Sequence, residues 1–373
     1  MATMRAIDIK DGKGPISNLY MNDQTPIPTP TASQALIKIK AFGLNRMDLL
    51  QREGHYPLPP QAPSTLGVEF SGQIHSVSPS NREGFAPGDA VFGLAYGGAY
   101  AEYIAVSTHM LIRKPEHLSW EECAGIPETW MTATQAMYLI GDFSEKQSPT
   151  ILWHAGASAV SIAGIQLSRM NGASQIFATA RSDEKCRFCV EELGATAAFN
   201  TTTSTTKEKG EGKEEEEEHW VDSIKKATGG KGVDIIIDFI GPGTFAANLE
   251  VAAKDGRIVN LATLGGLYLP PSSPSHSSSS SSEGGKGGNK YQTPNFGTFV
   301  AKRLRYEGSS LRSRDEAYQG RLRDSVVEHA LPMFAEGKLK VFVEKVFSWK
   351  DIREAHKQME KNLTKGKLIC VVD

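Results

Sequence analysis

Residues 150–172 read TILWHAGASAVSIAGIQLSRMNG. The apolar run Ile151–His154 predicts a buried strand, the small residues Ala155–Ser161 a turn, and the rest an apolar helix to about Met170. A strand that enters a helix through a tight turn aims unpaired backbone N–H groups at one spot, which attracts phosphate. Dinucleotide-binding turns carry G-x-G-x-x-G there. Gly156 is present, but Ala159 and Ser161 stand where a stricter match has glycine. The Ala159 methyl tightens the approach of backbone to phosphate, and a side chain at any position with φ > 0 is strained. Ser161 offers a hydroxyl donor in exchange.

Working outward, the alternation continues. Strands are expected at 175–180 (QIFATA), 197–199, 233–239 (VDIIIDF) and 256–262 (GRIVNLA). Helices at 160–171, 183–193, 219–227 and 243–253 separate them. Apolar strands alternating with helices specify an α/β fold, a Rossmann-type doubly wound parallel sheet covered on both faces. Upstream the texture differs. MRAIDIK (4–10) and QALIKIKAF (34–42) alternate apolar and polar, a Pro-rich connection lies between them, and a short helix at Arg46–Arg52 precedes a strand at 67–77. Short strands punctuated by Gly and Pro suggest a β-rich, partly barrel-like domain. Ser119 with Glu122 has capping-box spacing, and a second helix is expected over 128–140. After 296 come an apolar stretch, a helix at 315–336, strands at 340–347, a helix at 350–360 and a last strand, KLICVVD. These elements can close the N-terminal domain. The expected division is 1–128 with 316–373, and 129–315. Residues 201–218 end in five glutamates and residues 270–290 are Ser/Gly/Pro-rich. Both read as disordered surface insertions, because neither buries enough apolar surface to offset its ordering entropy.

Composition narrows the function classes. A net charge of −2 gives no electrostatic reason to expect nucleic-acid or membrane partners. No apolar run reaches the roughly 18 residues of a membrane helix, and the N-terminus lacks a signal-peptide pattern, so a cytoplasmic location is expected. Four scattered cysteines do not make a disulfide framework. Cys186 and Cys189 sit in an amphipathic helix with no second ligand pair nearby, and read as buried helix thiols.

Several phrases together resemble one family. They are LNRMDLLQREGHYP (44–57), LGVEFSG (66–72), GDAVFGLAYGGAYAEY (88–103), AGIPETWMTATQAM (124–137), LWHAGASAVSIAGIQLSRMNGA (152–173), ELGATAAFN (192–200), DFIG (238–241), SSLRSRDEAY (309–318) and EAHKQME with GKLICVV (354–372). They occur in the order of the medium-chain dehydrogenase/reductase superfamily. The likeness is to its zinc-free, zeta-crystallin-like quinone oxidoreductases, most of all the p53-inducible type. It implies a GroES-like β-rich catalytic domain and a Rossmann NADPH domain, with the dinucleotide in the cleft between them. Where zinc relatives carry a G-H-E motif, this chain has Gly67-Val68-Glu69, and no cysteine cluster follows. No metal is therefore expected. Without a Lewis acid to polarise an alcohol, hydride delivery to an electron-poor quinone or other electrophilic acceptor is favoured.

The resemblance also implies a site. Asn45, Asp48 and Tyr56 border the nicotinamide and the acceptor, and Thr132 meets the nicotinamide ribose or carboxamide. Asn45 and Asp48 read equally well as helix caps, and Tyr56 as an apolar wall. Glu128 reads as a helix-start acid. The phosphates are expected at Gly156, Ser158, Ala159 and Val160. The stretch ATARSDEK (178–185) offers Ala180, Arg181, Ser182 and Lys185, a cationic cluster suited to a 2′-phosphate, which favours NADPH over NADH. Arg181 and Lys185 also read as ordinary surface charges, and Asp183 and Glu184 as caps of the next helix. Thr201 replaces a family tyrosine beside the adenine. Phe239, Leu261, Leu264 and Gly265 are expected to line the nicotinamide pocket. Arg312, with Arg314, is expected to reach a cofactor phosphate or a dimer partner, or else to lie in a salt-bridged surface strand. A homodimer follows from the likeness of 299–311 to the family's sheet-edge strand. Protons can come from water, so no single acid or base is expected to be indispensable. Two other readings share these residues. One is an alkenal, enone or enoyl-thioester reductase, and the other a non-catalytic NADPH-binding or interaction protein.

Overall fold

The computed structural model describes residues 2–78, 81, 83–202, 219–269, 291 and 293–373. The insertions expected at 201–218 and 270–290 lie outside the described residues, apart from Thr201 and Thr202. In chain order the strands are β1 (Thr3–Ile9), β2 (Leu19–Pro26), β3 (Gln34–Gly43), β4 (Glu69–Val77), β5 (Ala90–Leu94), β6 (Tyr103–Ser107), β7 (Leu111–Arg113), β8 (Thr150–Trp153), β9 (Gln175–Ala180), β10 (Ala197–Asn200), β11 (Val233–Asp238), β12 (Ala252–Asn260), β13 (Arg305–Gly308), β14 (Val343–Ser348) and β15 (Lys367–Val371). The helices are α1 (Arg46–Glu53), α2 (Trp120–Ala124), α3 (Pro127–Thr134), α4 (Ala159–Met170), α5 (Asp183–Glu191), α6 (Trp220–Ala227), α7 (Pro242–Val251), α8 (Phe296–Ala301), α9 (Glu316–Ser325), α10 (Leu331–Ala335) and α11 (Ile352–Glu360). Two compact units result. One is Met1–Gln135 with Ser158–Ala163 and Ser310–Asp373, and the other is Ala136–Ala157 with Gly164–Ser309. The transitions fall after Gln135 and before Ser310, where the sequence placed them at 128/129 and 315/316.

The second unit is a six-stranded sheet in the order β10-β9-β8-β11-β12-β13, parallel throughout. Its strands are apolar because helices cover both faces. Leu152, Phe177, Ile236 and Ile258 pack with Trp220, Val221, Ile224 and Leu249 in one core. Sequential order reverses between β8 and β11, which makes the carboxyl end of β8 the topological switch point, where ligands bind in such sheets. Two segments depart from the sequence reading. β12 begins at Ala252, four residues before the expected 256. Residues 296–301 are helical, because the Asn295 side chain accepts from Thr298 N at 3.2 Å and caps α8, leaving only Arg305–Gly308 extended.

The first unit holds a seven-stranded sheet, β14-β15-β3-β4-β5-β7 with β6 also on β3, and a separate ribbon of β1 and β2. β2 escaped the sequence reading because its polar residues show no alternation and only Leu19 is buried. Ser119 caps α2 in the expected box: its hydroxyl accepts from Glu122 N at 3.1 Å, and its N–H donates to the Glu122 carboxylate at 2.8 Å. The helix expected over 315–336 widens by one residue per turn at Val326–Ala330, next to Pro332, whose ring cannot donate to the preceding turn.

A buried ion pair ties the sheet together. Lys367 opens β15 and Glu69 opens β4, one on each side of β3. The Lys367 ammonium pairs with the Glu69 carboxylate, with side chains 4% and 0% exposed. It also donates to Leu44 O and Asn45 Oδ1, each at 2.9 Å. Gly43 on β3 leaves the room: a Cβ there would crowd the Glu69 carboxylate and lie 2.7 Å from Ala124 O. Removing one partner of such a pair orphans the other charge. Lys367→Met is expected to cost about 3–5 kcal/mol in thermal or urea denaturation. Lys367→Met with Glu69→Gln should recover most of that loss, and no recovery would show that the cost is not an orphaned carboxylate.

Candidate functional site

At the switch point the chain leaves β8, turns, and starts α4 at Ala159. Gly156 N donates to Thr179 O at 2.7 Å. A Cβ on Gly156 would lie 2.8 Å from both Ala178 Cβ and Cys189 Sγ, so glycine is required by close approach. The only positive φ in the turn is at Ala155, 49°. Ala159 and Ser161 have negative φ and lie in the first turn of α4, so the missing glycines leave no backbone strain. Ser161 is fully buried, and its Oγ accepts from Ser158 Oγ at 3.0 Å. Ser158, Ala159 and Val160 are half-buried.

Around the same end of the sheet, a hydrogen-bonded chain crosses the strand ends. His154, wholly buried, bonds through Nδ1 to Thr179 Oγ1 at 2.8 Å and through Nε2 to Asn248 Oδ1 at 2.7 Å. Asn248 and Thr244 then donate to Asp238 Oδ2 at 2.9 and 2.7 Å. Ladder-like bonds gather the predicted pocket residues. Leu261 N donates to Asp238 O at 2.8 Å, Leu264 N to Phe239 O at 3.0 Å, and Gly265 N to Ile240 O at 3.0 Å. Phe239 is buried, Leu261 half-buried, and Leu264 and Gly265 exposed. After β9, Ala180 is buried, Arg181 exposed and Lys185 half-buried. Ser182 is the cap of α5, accepting from Lys185 N at 3.3 Å. Asp183 and Glu184 lie in the first turn of α5, as expected, and Asp183 also accepts from Asn200 Nδ2 at 2.8 Å. Thr201 donates to Ala180 O at 3.2 Å.

In the first unit, Asn45 and Asp48 are both helix caps and parts of a buried network. Asn45 N donates to Asp48 Oδ2 at 2.7 Å, while Asn45 Nδ2 donates to Glu69 Oε1 at 2.8 Å. Asp48 also accepts from Tyr100 OH and Gly67 N, each at 3.2 Å. Behind Tyr100 stands His356, whose Nε2 lies 3.3 Å from the phenol and whose Nδ1 accepts from Arg52 at 3.2 Å. Burial, then the Arg52 charge, lowers the His356 pKa to about 3, which keeps the ring neutral. Burial pushes Asp48 up to about 6, against the pull of the Asn45 N–H, Arg312 and Lys367.

Along one stripe of α3 and its continuation lie Glu128, Thr132 and Gln135 at i, i+4 and i+7, all buried. Among the described residues, Glu128 Oε2, Thr132 Oγ1 and Gln135 Oε1 have no hydrogen-bond partner, nor has Arg312 Nη2. Buried polar atoms are ordinarily paired, so unpaired ones gathered in one unit suit a ligand. Burial, then the negative charge of Glu69, pushes Glu128 up to about 8. Arg312 is not exposed and, among the described residues, forms no salt bridge. It is 2% exposed and donates to Tyr96 O at 2.7 Å and Gln51 Oε1 at 2.8 Å. Its guanidinium carbon sits 5.3 Å from the centre of the half-buried Tyr56 ring. Burial, then Glu128, raises the Tyr56 pKa. Arg314 rests instead on the Tyr318 ring, 4.6 Å from its centre. Sequence reasoning passed over Glu128 as a helix-start acid and did not single out Lys367, Gln135 or His356. The usable signal was a charge within an apolar phrase, as in GIPETW and GKLICVV.

Comparison with known proteins agrees with this architecture. The zinc-binding dehydrogenase family matches residues 159–323, and the alcohol dehydrogenase GroES-like domain matches residues 31–116. The human quinone oxidoreductase is 30% identical over 269 residues, 72% of this chain and 76% of that protein. A crystal structure of an NAD-dependent alcohol dehydrogenase superposes with a TM-score of 0.77 at 27% identity, covering 99% of this chain and 100% of that one. The quinone oxidoreductase of Coxiella burnetii superposes with a TM-score of 0.73 at 25% identity, covering all of both chains. The chain belongs to the medium-chain dehydrogenase/reductase superfamily of nicotinamide-dependent oxidoreductases.

Proposed function

We propose that the protein is an NADPH-dependent quinone oxidoreductase that works without metal. The observation that carries the reading is the buried set of unpartnered polar atoms, Glu128 Oε2, Thr132 Oγ1 and Arg312 Nη2, in the unit that also holds Tyr56. It offers hydrogen-bonding groups for the oxygen of a small electrophile. The donor set does not suit zinc. Both Glu69 oxygens are engaged, by Asn45 and Lys367 and by the Glu128 N–H at 2.9 Å. The neighbouring Val68 is apolar and wholly buried. Among the described residues, no three His, Cys, Asp or Glu side chains group as a metal site.

The residues at the switch point fit a dinucleotide. Gly156 lets the turn close, and the N–H groups of Ser158, Ala159 and Val160 at the start of α4 would meet the pyrophosphate. Arg181 and Lys185 would meet a 2′-phosphate, while Ser182 holds the start of α5. Phe239, Leu261, Leu264 and Gly265 would flank the nicotinamide, whose chemistry is hydride donation. Asn45 and Asp48 hold the Glu69 charge and the α1 terminus in place, and Thr132 would orient cofactor or acceptor. Tyr56 would donate to the oxygen on which charge develops, with Arg312 beside it. Among the described residues no helix is long and apolar enough to cross a membrane. The sheet ends on β13, all four residues exposed, an edge on which a second copy could pair in a cytoplasmic homodimer.

Steady-state kinetics with both cofactors test the 2′-phosphate site. KM should be lower for NADPH than for NADH, and Arg181→Ala should raise the NADPH value by about tenfold while leaving NADH unchanged. Equal values unaffected by that substitution would remove the preference. The acceptor is tested by NADPH oxidation with an ortho-quinone, a para-quinone and a 2-alkenal in parallel, with thermal stabilisation by NADPH as the binding control. Turnover with the quinones is expected, slowed about 10- to 100-fold by Tyr56→Phe with NADPH stabilisation intact. Turnover of the alkenal alone would favour a double-bond reductase, and no stabilisation by NADPH a protein without this cofactor.

A further inference from the structure

Glu69 and Glu128 are two carboxylates in one buried site, treated differently by their surroundings. Glu69 receives three donors: Asn45 Nδ2, the Lys367 ammonium and the Glu128 backbone N–H. The Glu128 side chain receives none at Oε2, although it is only 7% exposed. The groups that act on it are Glu69 from β4, Asp48 from α1, Lys367 from β15 and Arg312 after β13, two anions against two cations already engaged elsewhere. A carboxyl so placed keeps its proton, and the rise of its pKa to about 8 follows from burial first and Glu69 second. A neutral carboxyl is an O–H donor, here with no acceptor at Oε2 among the described residues, on the same α3 stripe as the equally unpartnered Thr132 hydroxyl. Tyr56 feels the charge of Glu128, so the groups that would surround an acceptor oxygen also surround this proton.

We propose that Glu128 is the proton donor of the reduction, its unpartnered buried carboxyl giving its proton to the acceptor oxygen once hydride has arrived. The inference rests on the oxidoreductase reading given above. Hydride brings two electrons to the acceptor and leaves it as an anion. The Glu128 O–H bond then breaks, its electron pair stays on the carboxylate, and a new O–H bond forms on the acceptor oxygen. Solvent returns the proton before the next turnover. Glu69 does not compete for the role, because both its oxygens already accept from protein donors and neither is left to face an acceptor. Glu128 thus replaces the water that the sequence reading supplied as proton source.

The test needs no turnover for its first arm. Infrared spectra of the ligand-free protein should show a protonated-carboxyl band that disappears as pH rises through about 8 and is missing in Glu128→Gln. Stability gives the same sign. A carboxyl whose folded pKa lies above its unfolded one favours folding at low pH, and this advantage is lost as pH rises. Asp48 contributes such a loss up to about pH 6, and the buried neutral His356 a gain that is complete by about pH 7, so between about 7 and 8 the wild type should lose melting temperature while Glu128→Gln does not. In the second arm, kcat with a quinone should fall above about pH 8, and Glu128→Gln should lower kcat about 100-fold with NADPH stabilisation unchanged. Glu128→Asp should restore part of the rate. An unchanged infrared band, or an unchanged kcat in Glu128→Gln, overturns the proposal. Absence of turnover in the wild type with every acceptor overturns the oxidoreductase reading instead, and with it the donor role, even where the band titrates as expected. If Glu128→Gln fails to fold, the wild-type band and the Glu128→Asp pH profile decide: a profile not displaced from that of the wild type counts against the role.

Discussion

Lys367 and Glu69 carry opposite charges withdrawn from water, and the first unit's candidate site is arranged around keeping them paired. Neither charge would be tolerated alone, because a buried ion costs several kcal/mol before its partner and hydrogen bonds offset it. The demands of the pair propagate. Gly43 must lack a side chain, Asn45 must turn its amide toward both charges, and the start of α3 must aim its Glu128 N–H at the remaining Glu69 oxygen. Asn45 in turn is held by the Asp48 cap, and Asp48 by Tyr100, His356 and Arg52 behind it. The interior polar groups form one chain of donors and acceptors in which each residue's orientation is set by the next.

The same economy explains why two neighbouring carboxyls differ in character. Donors are finite in a buried site, and those spent on Glu69 are not available to Glu128. Charge on the first therefore raises the cost of charge on the second. A similar asymmetry runs along α3. In α3 and its continuation, Thr132 Oγ1 and Gln135 Oε1 are buried polar atoms without a partner among the described residues, while Gln135 Nε2 reaches Ser310 O and Tyr318 OH.

The second unit was nearly all legible in the sequence, because a parallel sheet covered on both faces writes itself as apolar runs separated by helices. QIFATA matched β9 to the residue, and the alternation fixed the order of elements. Elements whose identity depends on distant partners were harder to see. β2 offers one buried residue, and α8 exists because Asn295 caps it. In the candidate site, local chemistry was readable at Asn45, Asp48, Ser119 and Gly156, where a cap or a turn announces itself within a few residues. The burial of Arg312 was not legible, because a serine-flanked arginine looks like surface, yet its partners, Tyr96 and Gln51, lie 216 and 261 residues away. Lys367 and Glu69 are also distant in sequence, and no local pattern reports that two charges will meet.

That separation has a consequence for how the chain is made. Lys367 follows Glu69 by 298 residues. At roughly 5–20 residues per second, about 15–60 s pass on the ribosome between the two. The second unit is complete in sequence at Ser309 and can close its local βαβ contacts meanwhile. The first unit must wait, its Glu69 carboxylate still hydrated and β4 without the cation that allows it to be sealed. Synthesis therefore imposes an order: the sheet in the middle of the chain matures first, and the half that encloses it in sequence folds last. A nascent chain halted short of residue 367 would present a finished nucleotide-type domain beside an unclosed, aggregation-prone sheet.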